Sequence, residues 1–342
     1  MKAVEVQPDG SVSVVDREIP AIGPGDALIR PRAAGICGSD LLDWYVRRKA
    51  GTVVGHEIAG EIVEVGKSVT GFAAGDRVVP HHHAPCLVCE QCRAGRYVHC
   101  AAWRSSRLDP GGMAEYVRIP ADNLSRDTLK VPAHLSNEEA AWTEPLATVV
   151  KAMARARLVA GQSILVIGLG SAGQLAVRLA KARGAVRVAG ADRVRSRLDA
   201  AQRGGADELV DVSGQEPGGT FDVVFVCPGK SDVIQQASAR VAPGGTLLLF
   251  TMAPPEETLA LSSYELYFRE ISLVPSYSCG PTDTREALEL LGSGKVPVAD
   301  LVTHRFPIAR AAEAFARARD PEGSVKVMVT FGTGDAGRGT RD

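Results

Sequence analysis

Four cysteines in the segment PCLVCEQCRAGRYVHC have a spacing that strongly predicts a metal site. Cys86, Cys89 and Cys92 form a CxxCxxC pattern, and Cys100 follows eight positions later. Such short intervals place thiolates on one tight turn, and four thiolates complete the tetrahedral coordination of a structural zinc ion. An iron–sulfur cluster also uses four thiolates and stays open as an alternative, although no proline follows Cys100 as in the ferredoxin pattern.

A second group of metal-binding side chains lies upstream of this lobe. Cys37 occurs in GICGSD, and His56 and Glu57 begin the strand-like stretch GHEIAGEIVEV. Catalytic zinc takes thiolate, imidazole and carboxylate ligands and keeps one coordination position open for a substrate. A histidine next to a glutamate often has only a structural role, so the prediction of a reaction centre depends on these residues converging in the fold.

The three consecutive histidines and the loop after Cys37 are predicted to have no role in metal binding. His81, His82 and His83 follow the apolar run RVV. Because successive side chains of a strand point to opposite faces, we expect that the three histidines do not share one site, and we leave them out. Asp40, Asp43 and Trp44 follow Cys37 and are predicted to form an exposed loop face, with the lining of a pocket as the alternative.

A glycine-rich turn predicts a dinucleotide-binding site in the second half of the chain. The buried apolar run SILVI is followed by a GxGxxG pattern and then by a helix with apolar residues at helical spacing. The glycines allow a tight turn, close approach of a pyrophosphate and close packing of helix on strand. The predicted site comprises Gly168, Gly170, Ser171, Ala172 and Gly173.

The next predicted strand, VRVAGAD, ends in a carboxylate that favours NAD. Asp192 lies near the usual offset at which an acidic residue accepts hydrogen bonds from the adenosine ribose. Arginines at positions 193, 195 and 197 keep NADP open as an alternative, because arginine can bind a 2′-phosphate.

The composition favours a protein that acts on small molecules. The chain has 342 residues, enough for roughly two domains, and a formal net charge of -1. This charge argues against general attraction to nucleic acid or to anionic lipid. The sequence MKAVEVQPDG shows no secretory signal, and no apolar run reaches membrane-spanning length. We therefore expect a cytoplasmic protein whose seven cysteines are free thiols or metal ligands.

The order of predicted elements indicates an α/β protein. The first residues read as short strands separated by PDG and GPGD turns, which predicts a β-rich opening domain. Beyond residue 160, strands alternate with helices, as in a doubly wound parallel sheet. The polar, Gly-rich tail GTGDAGRGTRD is predicted to be disordered.

Together, Cys37 in GICGSD, GHE with its GEIVEVG and GDRV continuation, and the four-cysteine lobe resemble the zinc-dependent medium-chain alcohol dehydrogenase family. The likeness is greatest to its sorbitol (polyol) and threonine dehydrogenase branch and covers almost the whole chain. It implies a GroES-like catalytic domain, residues 1–147 and 282–342, and a Rossmann NAD-binding domain, residues 148–281. It also implies two zinc ions per chain, one catalytic and one structural.

The resemblance assigns roles to individual residues. Cys37 and His56 would bind the catalytic zinc, and Glu57 would be a ligand or a carboxylate just behind the metal. Glu144, in WTEPLA, takes the place of the family's second cysteine ligand, and Ser39 matches the hydroxyl that accepts the substrate's proton. Arg197 matches a residue that contacts the cofactor ribose.

One departure concerns the proton relay. Many family members carry a histidine five positions after the first cysteine, and this chain has Leu42 there. The relay must then end elsewhere, in a water chain or in Asp43.

The resemblance implies reversible oxidation of a secondary alcohol, such as a polyol, cyclitol or amino alcohol, to a ketone by NAD. It also implies a homodimer or homotetramer. Two alternatives stay open at this point: a zinc-free alkene or quinone reductase of the same fold, and a non-enzymatic NAD-binding redox sensor.

Overall fold

Short strands separated by turns make up the first 130 residues, as the alternation of apolar and polar residues predicts. We describe residues 1–332 from a computed structural model. The tail that is predicted to be disordered, residues 332–342, therefore lies outside the described part except for Gly332. The first seven strands are β1 (Lys2–Val6), β2 (Val12–Asp16), β3 (Ala27–Gly35), β4 (Glu57–Val65), β5 (Arg77–Pro80), β6 (Val117–Ile119) and β7 (Thr128–Lys130).

Short helices connect these strands, and a longer helix follows them. The predicted capping box is present, because the Ser136 hydroxyl accepts from the backbone N–H of Glu139 and the Glu139 carboxylate accepts from that of Ser136. Pro145 lies in the first turn of the longer helix, where its missing N–H costs no hydrogen bond. The helices are α1 (Asp43–Val46), α2 (Glu90–Arg93), α3 (Ala101–Ser105), α4 (Ala121–Asp127), α5 (Asn137–Ala140) and α6 (Thr143–Arg155).

A parallel sheet of six strands follows, with helices between its strands. The strands are β8 (Ser163–Ile167), β9 (Arg187–Asp192), β10 (Glu208–Asp211), β11 (Phe221–Val226), β12 (Val241–Leu249) and β13 (Ser272–Pro275). The helices are α7 (Ser171–Ala182), α8 (Arg195–Arg203), α9 (Ser231–Ser238) and α10 (Ser263–Phe268). The strand order β10-β9-β8-β11-β12-β13 is that of the doubly wound dinucleotide-binding fold, so the predicted fold class is confirmed.

The end of the described chain returns to the first sheet. Its elements are α11 (Pro281–Gly292), β14 (Val302–Pro307), α12 (Ala311–Arg319) and β15 (Lys326–Thr330). β15 pairs antiparallel with β3, which extends the sheet to seven strands. Residues from both ends of the chain therefore surround the start of β4, where the predicted metal ligands lie.

Helix α6 joins the two sheets through one continuous core. That core includes Ala33 and Ala59 of the first sheet and Val166 and Phe225 of the parallel sheet. Trp142, just before α6, is fully buried in it. Burial on several sides fixes the position of α6, which carries Glu144 in its first turn. None of the helices described in residues 1–332 combines the length and the apolar character needed to cross a membrane.

Candidate active site

The four cysteines of the predicted zinc lobe converge. Their sulfur atoms all lie within 4.8 Å of one another. Cys92 Sγ is 3.5 Å from Cys89 Sγ and 3.9 Å from Cys86 Sγ. Zinc–sulfur bonds of about 2.3 Å in a tetrahedron place the sulfurs about 3.8 Å apart. The lobe thus has the dimensions of a single-zinc site, which favours zinc over a cluster of several irons.

Backbone N–H groups around these thiols stabilise the anionic form that a metal requires. The N–H groups of Val88 and Cys89 lower the pKa of Cys86 to about 6. Cys86 N in turn donates to Cys100 Sγ at 3.3 Å. Burial and the hydrogen bonds with Cys89 and Cys100 raise the pKa of Cys92 to about 12. The lobe therefore favours the thiolate at Cys86 but not at Cys92, whose proton a bound zinc ion would have to displace.

The register of β3 and β4 brings the second group together. Gly35, the last residue of β3, pairs with Glu57, the first residue of β4. Cys37 lies two positions beyond this pair on one strand, and His56 lies next to it on the other. Ligand atoms of Cys37, His56 and Glu57 all lie within 4.8 Å of one another. The donor set of thiol, imidazole and carboxylate fits the catalytic zinc that the motifs predict.

Asp40 is a functional candidate that the sequence reasoning assigned wrongly to an exposed loop face. Its side chain is buried, 2% exposed, and its Oδ2 atom is 3.9 Å from His56 Nδ1. Burial alone would lower the pKa of His56, but the Asp40 and Cys37 charges outweigh it and raise that pKa well above its ordinary value. At this distance the carboxylate acts on the His56 ring through its charge and not through a hydrogen bond.

Glu57 also has a buried partner that no sequence motif predicts. Its Oε2 atom forms an ion pair with Lys326 Nζ, and both side chains are buried. Lys326 Nζ also donates to the carbonyl of Ile36 at 3.1 Å and lies 5.1 Å from the centre of the Trp142 ring. Glu57 therefore belongs to the convergent group with Cys37 and His56 and also forms an ion pair with Lys326 of β15.

Glu144, in the first turn of α6, lies close enough to His56 and Glu57 for their charges to act on it, but its carboxylate converges with His81 and His82 and not with Cys37. It is 6% exposed, and burial raises its pKa, as does the neighbouring charge of Glu57, while His56 opposes the rise. Its carboxylate lies within 4.8 Å of ligand atoms of His81 and His82. Two buried carboxylates near a thiol are costly unless a positive charge accompanies them, and a divalent cation would supply that charge.

His81, His82 and His83 do not follow the strand alternation from which we predicted that they do not share one site. β5 ends at Pro80, so His81, His82 and His83 do not alternate across a sheet. The ring of His82 lies 5.0 Å from that of His56. The sequence signal that could have shown this is the proline, which ends the strand just before the histidines.

The proposed proton acceptor lies next to the metal-binding thiol. Ser39 is half-buried, and its hydroxyl donates to Cys37 Sγ at 3.3 Å. Asp43, one predicted end of the relay, accepts from Arg319 at 2.9 Å in an exposed ion pair. The pairing of Asp43 leaves a water chain as the simpler continuation of a relay from Ser39.

The glycine-rich turn has the geometry that close packing requires. Gly168 adopts φ of +84°, which favours glycine, and a Cβ at Gly173 would lie 2.0 Å from the carbonyl oxygen of Gly168. A Cβ at Gly170 would meet only Arg197 Nη1, at 4.0 Å, so this face of the turn is open. Helix α7 begins directly afterwards and directs its N-terminal N–H groups toward that space.

Asp192 and Arg197 flank the turn. The Asp192 carboxylate accepts from the backbone N–H of Leu169 at 2.6 Å and lies 4.0 Å from Arg197 Nη1. Arg197 Nε also donates to the carbonyl of Ser324 at 3.2 Å, and the Ser171 hydroxyl donates to that of Val325 at 2.7 Å. The predicted cofactor residues thus lie together where the parallel sheet meets the chain leading into β15.

Comparison with known proteins agrees with this geometry. A family model described as alcohol dehydrogenase GroES-like domain matches residues 23–132, and one described as zinc-binding dehydrogenase matches residues 172–293. Sorbitol dehydrogenase of Gallus gallus is 32% identical, with 96% of this chain and 95% of the relative covered. D-altritol 5-dehydrogenase of Agrobacterium fabrum is also 32% identical, with 96% and 99% covered.

The chain belongs to the zinc-dependent medium-chain alcohol dehydrogenase family. Within it, the chain is most like the sorbitol dehydrogenase branch. The solved structure of 2R,3R-butanediol dehydrogenase from Bacillus subtilis superposes with a TM-score of 0.83 at 25% identity, with 96% of this chain and 99% of that one covered. The protein is therefore an alcohol or polyol dehydrogenase that uses zinc and NAD. A zinc-free reductase or a redox sensor is not favoured.

A cysteine substitution tests the structural zinc lobe. Replacing Cys92 with Ser should lower the zinc content from about two ions per chain to about one, because three thiolates leave the tetrahedron incomplete. The measurement is elemental analysis of protein purified without added metal. The matched control is Cys227→Ser, since Cys227 lies outside both cysteine groups; equal zinc content in the two variants would contradict the assignment.

The buried Lys326–Glu57 pair makes a stability prediction. Lys326→Met leaves the Glu57 charge unpaired in the interior and should lower the free energy of unfolding by about 3–5 kcal/mol. The control Lys181→Met breaks an ion pair with Asp207 whose side chains are 35% and 40% exposed, and should cost at most about 1 kcal/mol. Denaturant titration of the zinc-loaded protein measures both values. Adding Glu57→Gln to Lys326→Met should recover part of the loss, and an effect as small as that of the control would refute the pairing.

Proposed function

We propose that this dehydrogenase oxidises a secondary alcohol of the polyol, cyclitol or amino alcohol class to a ketone, with NAD as the hydride acceptor. The observation that carries the proposal is the convergence of Cys37, His56 and Glu57 within 4.8 Å of one another, beside Glu144. The printed names of the relatives, sorbitol and D-altritol dehydrogenases, support a polyol.

Each side chain of the centre has a proposed role. Cys37 and His56 hold the catalytic zinc, and Glu144 or Glu57 supplies a third ligand. Cys86, Cys89, Cys92 and Cys100 hold the structural zinc. When bound, zinc supplies a Lewis acid that lowers the pKa of the alcohol, and NAD supplies the hydride acceptor.

Proton removal is proposed to begin at Ser39. Its hydroxyl is close enough to Cys37 Sγ to hydrogen-bond with it, so it lies at the edge of the metal centre. Ser39 takes the proton of the substrate hydroxyl and passes it to water, because Leu42 cannot carry a proton. The Asp40 carboxylate, 3.9 Å from His56 Nδ1, acts on the imidazole through its charge.

The glycine-rich turn and Asp192 are proposed to bind NAD. Gly168, Gly170 and Gly173 make room for the pyrophosphate, and the N-terminus of α7, with Ser171 and Ala172, faces it. The Asp192 carboxylate accepts from the ribose hydroxyls and repels a 2′-phosphate, which favours NAD over NADP. Arg197 lies beside Asp192 and contacts the same ribose.

The two-domain division is also a proposal. It assigns residues 1–147 and 282–342 to the catalytic domain and residues 148–281 to the NAD-binding domain. In its support, the strands of the parallel sheet all fall between Ser163 and Pro275, and those of the seven-stranded sheet fall on either side.

Reciprocal variants test the division of labour between metal and cofactor sites. Cys37→Ala and His56→Ala should each lower turnover by about 10³-fold or more, since a Lewis acid contributes several kcal/mol. Both should leave the affinity for NAD unchanged. Asp192→Ala should show the reverse pattern, with weaker NAD binding and full zinc content. Fluorescence titration with NADH and elemental analysis give these values, and loss of NAD binding in a folded Cys37→Ala protein would refute the proposal.

We also propose that the enzyme is a cytoplasmic homodimer or homotetramer. The seven cysteines form no disulfide within residues 1–332, which agrees with a reducing compartment. Strand β13 is an edge of the parallel sheet. Beside it lie aromatic side chains with large exposed fractions, Tyr264 at 66%, Tyr267 at 76% and Phe268 at 66%. An exposed edge strand with an apolar border is a surface that a second copy can cover.

A charge placed on this border tests the assembly. Tyr267→Glu with Phe268→Glu should convert the oligomer to smaller species, because buried charges disfavour the interface. Sedimentation velocity measures the change in mass. The matched control is Val186→Glu, which also replaces an apolar side chain that is 67% exposed but lies away from β13. A monomeric wild-type protein would contradict the proposal.

A further inference from the structure

The three consecutive histidines have different partners. His81 Nδ1 lies 2.7 Å from the Asp127 carboxylate. His83 Nδ1 donates to the carbonyl of Ser106 at 3.1 Å, and its ring stacks on Trp103 with centroids 3.9 Å apart. Both rings are therefore held by the protein itself.

His82 differs from its neighbours. Its Nδ1 atom is buried and has no hydrogen-bond partner within residues 1–332. A buried polar atom without a partner destabilises the fold, so such an atom at a functional centre points to a ligand that supplies the missing hydrogen bond.

His82 lies next to the proposed catalytic zinc site. Its ring centroid is 5.0 Å from that of His56, and one of its nitrogens lies within 4.8 Å of the Glu144 carboxylate. His56 and Glu144 belong to the proposed zinc site. A substrate whose reacting oxygen lies at that site would have its neighbouring carbon atoms close to His82.

The chemistry of the ring suits a hydroxyl group. A neutral imidazole presents one N–H donor and one acceptor nitrogen. A hydroxyl also offers one donor together with acceptor lone pairs, so it can bind to either nitrogen.

We propose, on the basis of the function proposed above, that His82 binds the hydroxyl next to the reacting carbinol and so selects vicinal diols and polyols over simple secondary alcohols. His82 is then a specificity-determining residue. A simple alcohol leaves its buried nitrogen unpaired, whereas a vicinal diol satisfies it.

The test compares a matched substrate pair on zinc-loaded enzyme with NAD. 2,3-Butanediol and 2-butanol differ by one hydroxyl at the position in question. For the wild-type enzyme, kcat/KM should be higher for the diol. His82→Phe keeps a flat ring but removes both nitrogens, and it should lower the ratio of kcat/KM for diol over 2-butanol by about tenfold. The KM for the diol should change more than its kcat.

A second variant separates recognition from packing. His82→Asn retains a donor and an acceptor and should restore part of the diol preference, which a purely structural role would not do. An equal loss for both substrates in His82→Phe, or no diol preference in an active wild-type enzyme, would overturn the role of His82 alone. Loss of one zinc ion in His82→Phe would also overturn it, since His82 would then be a metal ligand. No oxidation of any alcohol by the wild-type enzyme would overturn the proposed function as well.

Discussion

The antiparallel pairing of β3 with β4 is the constraint on which the proposed catalytic centre depends. Because Gly35 pairs with Glu57, the thiol that follows one strand and the imidazole that precedes the other come within coordination distance. A shift of one residue would turn Glu57 to the opposite face of the sheet. The proposed zinc site is thus a consequence of strand register, which brings Cys37 and His56 together although they lie 19 positions apart in the sequence.

The strand with which the described chain returns to this sheet supplies a positive charge to the centre. The centre contains buried carboxylates from Asp40, Glu57 and Glu144, which are costly in the interior unless cations accompany them. β15 pairs with β3 and places Lys326 against Glu57. Lys326 offsets part of this negative charge, and a divalent ion bound by the thiol, the imidazole and a carboxylate would offset the rest.

Helix α6 connects the metal centre to the cofactor turn. Its first turn carries Glu144 to the centre, and its apolar residues share one core with strands of both sheets. Close packing on both sides of α6 keeps the distance between the metal centre and the cofactor turn constant. Hydride transfer from an alcohol to a nicotinamide ring requires such a fixed distance. A rigid support of this kind places reacting groups better than a loop would.

Local spacing in the sequence was enough to predict the features whose parts lie within one turn or one βα unit. The four cysteines of the zinc lobe and the glycine turn with Asp192 are of this kind, because a few residues of chain determine their geometry. Tertiary structure alone decided the rest. Lys326 meets Glu57 across 269 positions of sequence. The buried Asp40 lies 3.9 Å from His56, and the ring of His82, after β5 has ended at Pro80, lies 5.0 Å from that of His56. Each of these contacts depends on strand register and burial between distant parts of the chain, and the local spacing of residues does not predict either.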